Sequence, residues 1–277
     1  MNFPISVLIL TKDEENNLPE CLASVSWCDD VHVLDSCSTD ATRDIAAKSG
    51  ATVTVRPFDN YGAHQNWALA NVPFRYPWVL NIDADERVTP ELAEAVRKAV
   101  SDPKGVVSFR ICRRDFFMGT WLRRVQATAW YQRLFMYKHM RFERLVHAIS
   151  IPDGPVADLK GGYLDHQPFS KGISQWVERH NAYSSFEARM RHDAAGGVAH
   201  PSLRKALFSR DIGERRIHQK EFYYRLPFRP VAKFLWMYVW KLGFLDGRAG
   251  LSYVLLISFY EHLIVLKEAE MRRGGRS

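Results

Sequence analysis

The sequence of 277 residues has no internal repeat and no low-complexity tract, so neither a repeat array nor a disordered chain describes it. It has only four cysteines, and no two of them have the C-x-x-C spacing of zinc or redox motifs. We therefore expect free thiols in a reducing compartment rather than disulfides or a zinc site. The first residues show no basic region followed by a long apolar segment, and we expect no secretory signal.

Long hydrophobic runs are scarce as well. The two strongest lie at residues 234–240 and 251–260, and neither reaches the roughly 18 to 20 uninterrupted apolar residues of a spanning helix. The net charge of +7 comes from the same C-terminal region. Residues 201–277 contain 15 Lys and Arg against 7 Asp and Glu, whereas residues 1–200 contain 23 Lys and Arg against 24 Asp and Glu. Basic residues beside aromatic helices are typical of attachment to an anionic membrane surface. A helical hairpin packed on the protein's own core is the alternative, and a nucleic-acid reader is disfavoured.

The remaining composition is that of an ordinary globular protein, with 47% hydrophobic and 25% charged residues. Short apolar runs alternate with helical patterns over the first 115 residues, which predicts an α/β fold with a mostly parallel sheet and helices on both faces. The predicted strands lie at residues 5–10, 31–34, 51–55, 78–82 and 106–111. We predict three parts: an α/β domain at 1–193, a linker at 194–203, and a basic, aromatic tail of amphipathic helices at 204–277.

One strand, at residues 78–82, runs directly into a cluster of carboxylates at Asp83, Asp85 and Glu86. Ligands of open α/β sheets lie at the carboxyl ends of the strands. Two aspartates with no cation between them repel each other, and a divalent cation such as Mg²⁺ or Mn²⁺ relieves that repulsion while also binding phosphate oxygens. The pattern predicts a metal-assisted nucleotide site.

Two other interpretations of these carboxylates fail on their own spacing. A phosphatase with an aspartyl nucleophile would have Thr or Val two residues after the second Asp, where this chain has Arg87. A calcium loop that starts at Asp83 would need an oxygen ligand at Arg87 and a glycine at Val88.

Three segments in order, at residues 9–18, 33–40 and 81–86, resemble the successive signatures of family 2 glycosyltransferases, which are inverting GT-A enzymes that use nucleotide sugars. Three further segments, at residues 62–69, 133–135 and 165–183, are similar to the branch that extends lipopolysaccharide cores and related envelope glycans. The resemblance covers about residues 4 to 190, and the order and spacing of the segments make it specific.

The resemblance implies a pocket for the donor base after the first two strands. Asp35 would accept a hydrogen bond from a uracil-like N–H, and Thr11 and Glu14 would line the same pocket. Related sequences often have a second acid where this chain has Ser36, so the preference for a UDP-sugar is expected but less firmly implied.

The resemblance also implies roles around the diphosphate. Asp83 would face the ribose or the metal, Asp85 would ligate the metal, and His166 would complete the metal shell. Arg133 would contact the diphosphate, although an ion pair is its alternative role, and Gln65 would position the sugar or cap a helix.

An inverting transfer needs a general base for the acceptor hydroxyl. Two carboxylates that are common in related sequences are missing, since this chain has Ala148 after Val-His and no Asp just before Arg133. Asp115 is the predicted catalytic base, with Glu143 and His147 as the remaining candidates.

Together these patterns predict a metal-dependent (Mg²⁺ or Mn²⁺), inverting glycosyltransferase at the cytosolic face of the cytoplasmic membrane. Its partners would be a nucleotide-sugar donor and a cell-envelope glycan or lipid-linked acceptor, with peripheral membrane contact and no nucleic acid. Because two carboxylates are missing, the alternative is a membrane-associated protein with a GT-A fold that binds nucleotide sugar but has lost transfer.

Overall fold

The computed structural model describes residues 4–126, 129–143, 149–193, 201–209 and 212–274. Within it the chain divides into two compact units. The first consists of Met1–Phe116 with Gln126–Ser170, and the second of Phe117–Val125 with Lys171–Ser277. The predicted linker lies largely outside the described residues, so the predicted division at 194–203 stays a prediction.

The first unit is built around a mixed β-sheet. The strands of the described residues are β1 (Ile5–Thr11), β2 (Val31–Asp35), β3 (Thr52–Val55), β4 (Trp78–Asp83), β5 (Glu86–Val88), β6 (Ser108–Phe117), β7 (Thr120–Trp121), β8 (Trp130–Met136), β9 (Met140–Glu143), β10 (Ile149–Pro152) and β11 (Val156–His166). Apart from β7 and the last residue of β6, they belong to the first unit. The sheet order is β3-β2-β1-β4-β8-β6-β11-β5, and β9 pairs with β10 in a separate ribbon. The α/β class is therefore confirmed.

Four strands, β3, β2, β1 and β4, form the parallel half of the sheet. Strand β1 is buried on both faces: Val7 and Ile9 pack into one apolar cluster, and Leu8 packs into a second with Leu34 and Val79. Burial on both faces explains why these strands appear in the sequence as continuous apolar runs. The other half is mixed, because β8 and β5 enter antiparallel to their neighbours.

The helices of the first unit are α1 (Leu18–Ser24), α2 (Thr42–Lys48), α3 (Tyr61–Asn71) and α4 (Pro90–Ser101). Helix α4 begins as the sequence predicts, with the Thr89 side chain accepting a hydrogen bond from Leu92 N and a proline in the first turn. Helix α3 begins at Asn60, whose side chain accepts from Ala63 N.

Strand β11 changes register between Leu159 and Leu164, where it passes α4. A side chain at Gly162 would lie 2.1 Å from Leu92 N, so only glycine permits this close approach. The Thr89 hydroxyl accepts from Tyr163 N, which ties the irregular strand to the start of α4. The second half of β11 thereby reaches β5 and β6 in one fixed register.

The second unit is helical, with α5 (Gly172–Asp193), α6 (Leu203–Phe208), α7 (Ile212–Arg225), α8 (Arg229–Leu235) and α9 (Gly247–Gly274). Buried Arg229 lies 3.2 Å from Glu261 and 3.4 Å from Glu268, which joins α8 to α9. The Asp246 carboxylate accepts from the backbone N–H groups of Arg124 and Val125 and so holds this short segment in the unit. All four cysteines are free, as expected.

Within the described residues, one helical stretch, Gly243–Arg273, is long and apolar enough to cross a bilayer by length and composition, with 33% of its apolar window buried. The apolar run at residues 251–260 is too short to span a bilayer by itself, but the helix continues past it through a few polar residues and so meets this criterion. A single helix of this kind is weak evidence of a membrane span, since core helices of soluble proteins pass the same test.

Candidate functional site

The carboxyl ends of β1, β2 and β4 bring three of the predicted residues to one edge of the sheet. The register pairs Thr11 with Asp35 and Leu10 with Asp83. Thr11 and Asp35, which are 24 positions apart in the sequence, and Leu10 and Asp83, which are 73 apart, thus lie opposite each other in adjacent strands, because parallel strands end at the same edge. This is the edge at which the predicted donor pocket was expected.

The ends of β1 and β2 and the loops that follow them, residues 11–17 and 35–42, are joined by many hydrogen bonds, and we call these two segments the loop pair. Asp13 accepts from Thr39 N at 2.7 Å, Thr42 Oγ1 accepts from Glu14 N at 2.7 Å, and Lys12 Nζ donates to Cys37 O at 2.8 Å. The hydrogen bond from Thr39 lowers the pKa of Asp13. The predicted residue Glu14 also accepts from Asn17 Nδ2 at 2.7 Å. The loop pair is therefore a pre-organised polar surface.

Asp35 is a fully buried member of the loop pair. Its carboxylate accepts from Thr11 Oγ1 at 2.9 Å, from Ser38 N at 2.7 Å, and from the Ser38 hydroxyl. All of these donors are neutral. In this arrangement the Asp35 side chain holds the loop after β2 to the end of β1.

The predicted residue Ser36 belongs to a chain of polar contacts that sequence reasoning did not assign. Ser36 Oγ lies 3.3 Å from His64 Nε2, and His64 Nδ1 lies 2.7 Å from Arg56 Nη1. Arg56 in turn forms a 2.6 Å ion pair with Asp59. Burial and the charge of Arg56 lower the pKa of His64, so the ring is neutral. A guanidinium only donates, so Nδ1 accepts and Nε2 carries the proton toward Ser36.

Gln65, the next predicted residue, lies on α3 beside the end of β4. Its Oε1 accepts from Asn81 Nδ2 at 2.8 Å. The neighbouring Asn66 instead makes two 2.8 Å hydrogen bonds with the backbone of Phe142 and joins α3 to β9. The cap of α3 is Asn60, so Gln65 does not cap this helix.

Three polar residues form a row across β5, β11 and β6. The strand registers place His166 opposite Glu86 on one side and opposite Asp115 on the other. Together with Arg113 and Arg133 we call these residues the charged row. Its members come from four strands, β5, β6, β8 and β11, and the β11 register aligns Glu86, His166 and Asp115.

Glu86 is the most deeply buried member of the charged row, with 0% of its side chain exposed. Its Oε1 lies 2.7 Å from Arg133 Nη2 and 3.4 Å from Arg113 Nη1, and its Oε2 accepts from Asp83 N at 2.9 Å. Arg133 Nη2 also lies 2.6 Å from Asp83 Oδ2. Burial alone would lower the pKa of Arg133, but the charges of Asp83 and Glu86 raise it. The predicted diphosphate ligand Arg133 is thus paired with the predicted ribose or metal ligand Asp83.

Asp85 and His166, the two predicted metal ligands, lie side by side. His166 Nε2 is 3.4 Å from Asp85 Oδ2, and His166 Nδ1 is 2.7 Å from Asp115 Oδ1. Burial alone would lower the pKa of His166, but Asp85 and Asp115 raise it to about 9. The histidine is therefore held between two carboxylates, one at each ring nitrogen.

The donor set fits a diphosphate-bound cation better than a cage made only of protein ligands. Among the described residues, no group of three or more His, Cys, Asp and Glu side chains could hold a metal ion. Mg²⁺ is commonly held by only one or two carboxylates together with water and substrate phosphates. Asp85 could supply such a carboxylate, and the imidazole Nε2 of His166 lies 3.4 Å from it.

The three candidate bases have different surroundings. Asp115 is only 8% exposed, and its Oδ1 lies 2.9 Å from Arg113 Nε as well as close to His166. Glu143 has 55% of its side chain exposed and pairs with Arg141 at 3.2 Å. His147 lies outside the described residues.

Sequence reasoning assigned no role to Glu86, Arg113 or His64, although each contacts a predicted residue. Glu86 stood in the same carboxylate cluster as Asp85, and Arg113 stands two residues before Asp115, on the same face of a strand. His64 stood beside Gln65 in a segment of the resemblance. These positions were the available signals for the three residues.

Comparisons with known proteins agree with the resemblance. The family model for glycosyl transferase family 2 matches residues 6–156. The lipopolysaccharide core biosynthesis glycosyltransferase LpsC of Rhizobium meliloti is 24% identical over 269 residues, which cover 91% of this chain and 90% of that protein. An uncharacterized glycosyltransferase of Rickettsia conorii, RC0292, is 40% identical over 93 residues, 33% of this chain and 32% of that protein.

Among solved structures, glucosyl-3-phosphoglycerate synthase of Mycobacterium tuberculosis, in complex with Mn²⁺, UDP-glucose and phosphoglyceric acid, is 25% identical with a TM-score of 0.33. The match covers 42% of this chain and 44% of that chain. Similarity at this level supports no residue-by-residue comparison.

Proposed function

Because this chain belongs to glycosyl transferase family 2, we propose that it moves a sugar from a UDP-sugar to a cell-envelope glycan or lipid-linked acceptor, with inversion and with Mg²⁺ or Mn²⁺. The observation that carries the proposal is the pair formed by Asp85 and His166, whose side chains lie 3.4 Å apart. Thr11, Asp35 and Asp83 lie at the carboxyl ends of their strands, at the same edge of the sheet. The similarity to a lipopolysaccharide core glycosyltransferase supports the class of acceptor.

The donor's base and ribose would be held by the parallel half of the sheet. The loop pair, with Thr11, Glu14, Asp35 and Ser36, would surround the base. Its many internal hydrogen bonds mean that little ordering is needed on binding, which favours affinity. Asp83 would accept hydrogen bonds from the ribose in place of its 2.6 Å ion pair with Arg133.

The diphosphate would lie over Asp85 and His166, which would hold the cation. When bound, the cation supplies positive charge that neutralises the departing nucleoside diphosphate. Arg133 would add a second positive charge beside the diphosphate, and Gln65 would contact the sugar. The partly exposed carboxylate of Asp83, which has 40% of its side chain accessible, can exchange its ion pair with Arg133 for contacts to the donor.

A panel of sugar nucleotides tests this function. Thermal unfolding is measured with UDP-, GDP- and TDP-sugars, each with and without Mn²⁺, because a ligand that binds only the native state raises its stability. We expect the largest metal-dependent stabilisation with a UDP-sugar, and release of UDP when an envelope glycan or lipid-linked acceptor is added. A matched control is Asp158→Asn on β11, whose carboxylate pairs with Arg110. It should behave as wild type.

The same panel distinguishes the two candidate functions. Binding of a sugar nucleotide without hydrolysis or transfer from any donor would favour the alternative, a binding protein that has lost transfer. Absence of any metal-dependent stabilisation would contradict both.

We further propose that the protein works at the cytosolic face of the cytoplasmic membrane, attached through residues 222–245 of the second unit. This stretch has no Asp or Glu, and besides the buried Arg229, which pairs with Glu261 and Glu268, it includes Arg225, Lys233 and Lys241. It also exposes many large apolar side chains. These are Leu226, Phe228, Val231, Leu235, Trp236, Val239, Trp240, Leu242, Phe244 and Leu245. Cations beside exposed aromatic and apolar groups suit the headgroup region of an anionic bilayer.

Vesicle flotation tests the membrane contact. The full chain should float with vesicles that contain anionic lipid and bind much less to neutral ones. The double substitution of Phe228 and Trp240 by serine removes the two most exposed side chains of the stretch, each 80% exposed, and should reduce flotation at least about tenfold. Met190→Ser on α5, at 53% exposure, is the matched control. Equal flotation of all three proteins, or equal binding to neutral vesicles, would contradict the proposal.

A further inference from the structure

We infer that Asp115 is a positioning residue, which fixes the ring of His166 so that Nε2 faces the cation, rather than the base that deprotonates the acceptor. The inference rests on the proposed function, because it needs a cation beside Asp85. It assigns Asp115 a role different from the one predicted from the sequence.

The first observation is the contact itself. Asp115 Oδ1 and His166 Nδ1 are 2.7 Å apart, and the two residues are direct partners in the register of β6 and β11. An ionised carboxylate only accepts, so Nδ1 must carry the proton of this hydrogen bond. In a neutral imidazole, the lone pair is then on Nε2, which points at Asp85 Oδ2. Metal-binding histidines typically have this carboxylate partner on the other ring nitrogen.

The second observation is how firmly the carboxylate is held. Asp115 is 8% exposed, and its Oδ1 also lies 2.9 Å from Arg113 Nε. The Asp115 N–H donates to Gln126 Oε1 at 3.4 Å, while Gln126 Nε2 donates to Arg113 O at 2.9 Å. Gln126 therefore holds the backbone of β6 that leads into Asp115. A side chain held in this way is suited to orient a neighbour.

The third observation concerns the base. A general base must lie within about 2.6–3.2 Å of the proton that it removes. Asp115 Oδ1 already serves an imidazole and a guanidinium within 2.9 Å. An acceptor hydroxyl would have to displace one of these partners or reach Oδ2 on a side chain that is only 12% exposed. The same carboxylate needs no rearrangement to orient His166.

Cation binding and turnover, measured separately, test the inference. Mn²⁺ is titrated into the full-length protein and followed by electron paramagnetic resonance, without and with UDP. The proteins are wild type, Asp115→Ala, Asp115→Asn and the control Asp158→Asn. Loss of an outer partner of a metal-binding histidine typically costs about 10- to 100-fold in metal affinity. We expect that loss for Asp115→Ala and a smaller one for Asp115→Asn, which keeps an acceptor oxygen for Nδ1–H.

The kinetic readout separates positioning from base catalysis. With Mn²⁺ raised to saturation, both Asp115 variants should recover a kcat within about tenfold of wild type, and Asp158→Asn should be unchanged throughout. Wild-type Mn²⁺ affinity in both variants would overturn the inference, and so would a kcat that stays lost at saturating Mn²⁺. If the alanine variant fails to fold, as judged by circular dichroism, the asparagine variant decides by the same criteria. A wild-type protein that binds no Mn²⁺ would overturn the metal-dependent function as well.

Discussion

In the loop pair, carboxylates accept hydrogen bonds from hydroxyl and backbone N–H groups, whereas in the charged row they face arginine and histidine. Asp35 has three neutral donors within the first region. Glu86 has two guanidinium groups within 3.4 Å in the second. Both carboxylates are fully buried. Their loss should therefore have different consequences, because a missing neutral hydrogen bond leaves dipoles unsatisfied, while a missing charge leaves other charges uncompensated.

The difference also separates two tasks at one sheet edge. The loop pair gains rigidity from hydrogen bonds between its carboxylates and neutral donors, as would suit a surface that recognises a flat base by hydrogen bonds. The charged row stores opposite charges in close contact, and it can exchange partners when an anionic diphosphate and a cation arrive. Such ion pairs are expensive to bury and are weak evidence for a purely stabilising role.

The largest effect that we predict is on the stability of the charged row. Glu86→Ala removes the carboxylate between Arg133 and Arg113 and should lower the free energy of unfolding by about 3–5 kcal/mol, the usual cost of breaking a buried ion pair. Urea denaturation followed by circular dichroism measures the change. Glu94→Ala on α4 removes an exposed carboxylate paired with Arg97 and should change little. Equal losses of unfolding free energy for Glu86→Ala and Glu94→Ala would contradict a stabilising role of the buried ion pairs of Glu86.

The second prediction concerns the cation. Asp85→Ala should lower metal-dependent turnover by about 10²- to 10³-fold, the range found when one group that stabilises developing charge is removed. The fold should persist, since 19% of the Asp85 side chain is exposed and its backbone carbonyl still accepts from Gln167 N. Initial rates at saturating donor, together with a thermal unfolding curve, measure both. Undiminished activity would refute a metal role for Asp85.

The third prediction tests the loop pair. Asp35→Ala leaves the Thr11 hydroxyl and two Ser38 donors without their acceptor and should cost about 1–3 kcal/mol of stability. Donor affinity should fall too, because the two loops are no longer held together. Isothermal titration with a UDP-sugar and urea denaturation measure the two effects, with Thr11→Val as the milder variant. A stability loss as large as that of Glu86→Ala would mean that the two regions do not differ as described.

Much of the loop pair was predictable from the sequence, because Thr11, Asp35 and Asp83 each end an apolar run and parallel strands end at one edge. The alignment of the charged row could not be predicted from the sequence. Its alignment depends on the register of β11, which shifts between Leu159 and Leu164, and no local pattern encodes that shift. Glu86, Arg113 and Asp115 therefore appear as separate charges in the sequence, and contacts such as those of Asp115 with His166 could not be predicted from it.

The position of the segment Phe117–Val125 could not be predicted from the sequence either. It lies between two strands of the first unit but belongs to the second unit, where Asp246 accepts from the N–H groups of Arg124 and Val125. A hydrogen bond across more than a hundred residues leaves no periodic signal in the sequence. The apolar strands were identified because their pattern is local.

The smallest predicted effect is a pH dependence that arises beside the loop pair. Burial and Arg56 hold the pKa of His64 below its ordinary value of 6.5. Below about pH 6.5 the unfolded chain therefore binds a proton that folded His64 does not, and stability falls as the pH decreases toward the folded pKa; above that range this contribution is constant. Urea denaturation at pH 7.5 and 5.5 should show a larger loss for wild type than for His64→Gln, which cannot titrate. His262→Gln removes an exposed histidine and should keep the wild-type difference. If His64→Gln has the wild-type pH dependence, the chain of polar contacts from Arg56 to Ser36 does not contain a His64 that stays neutral as the pH falls.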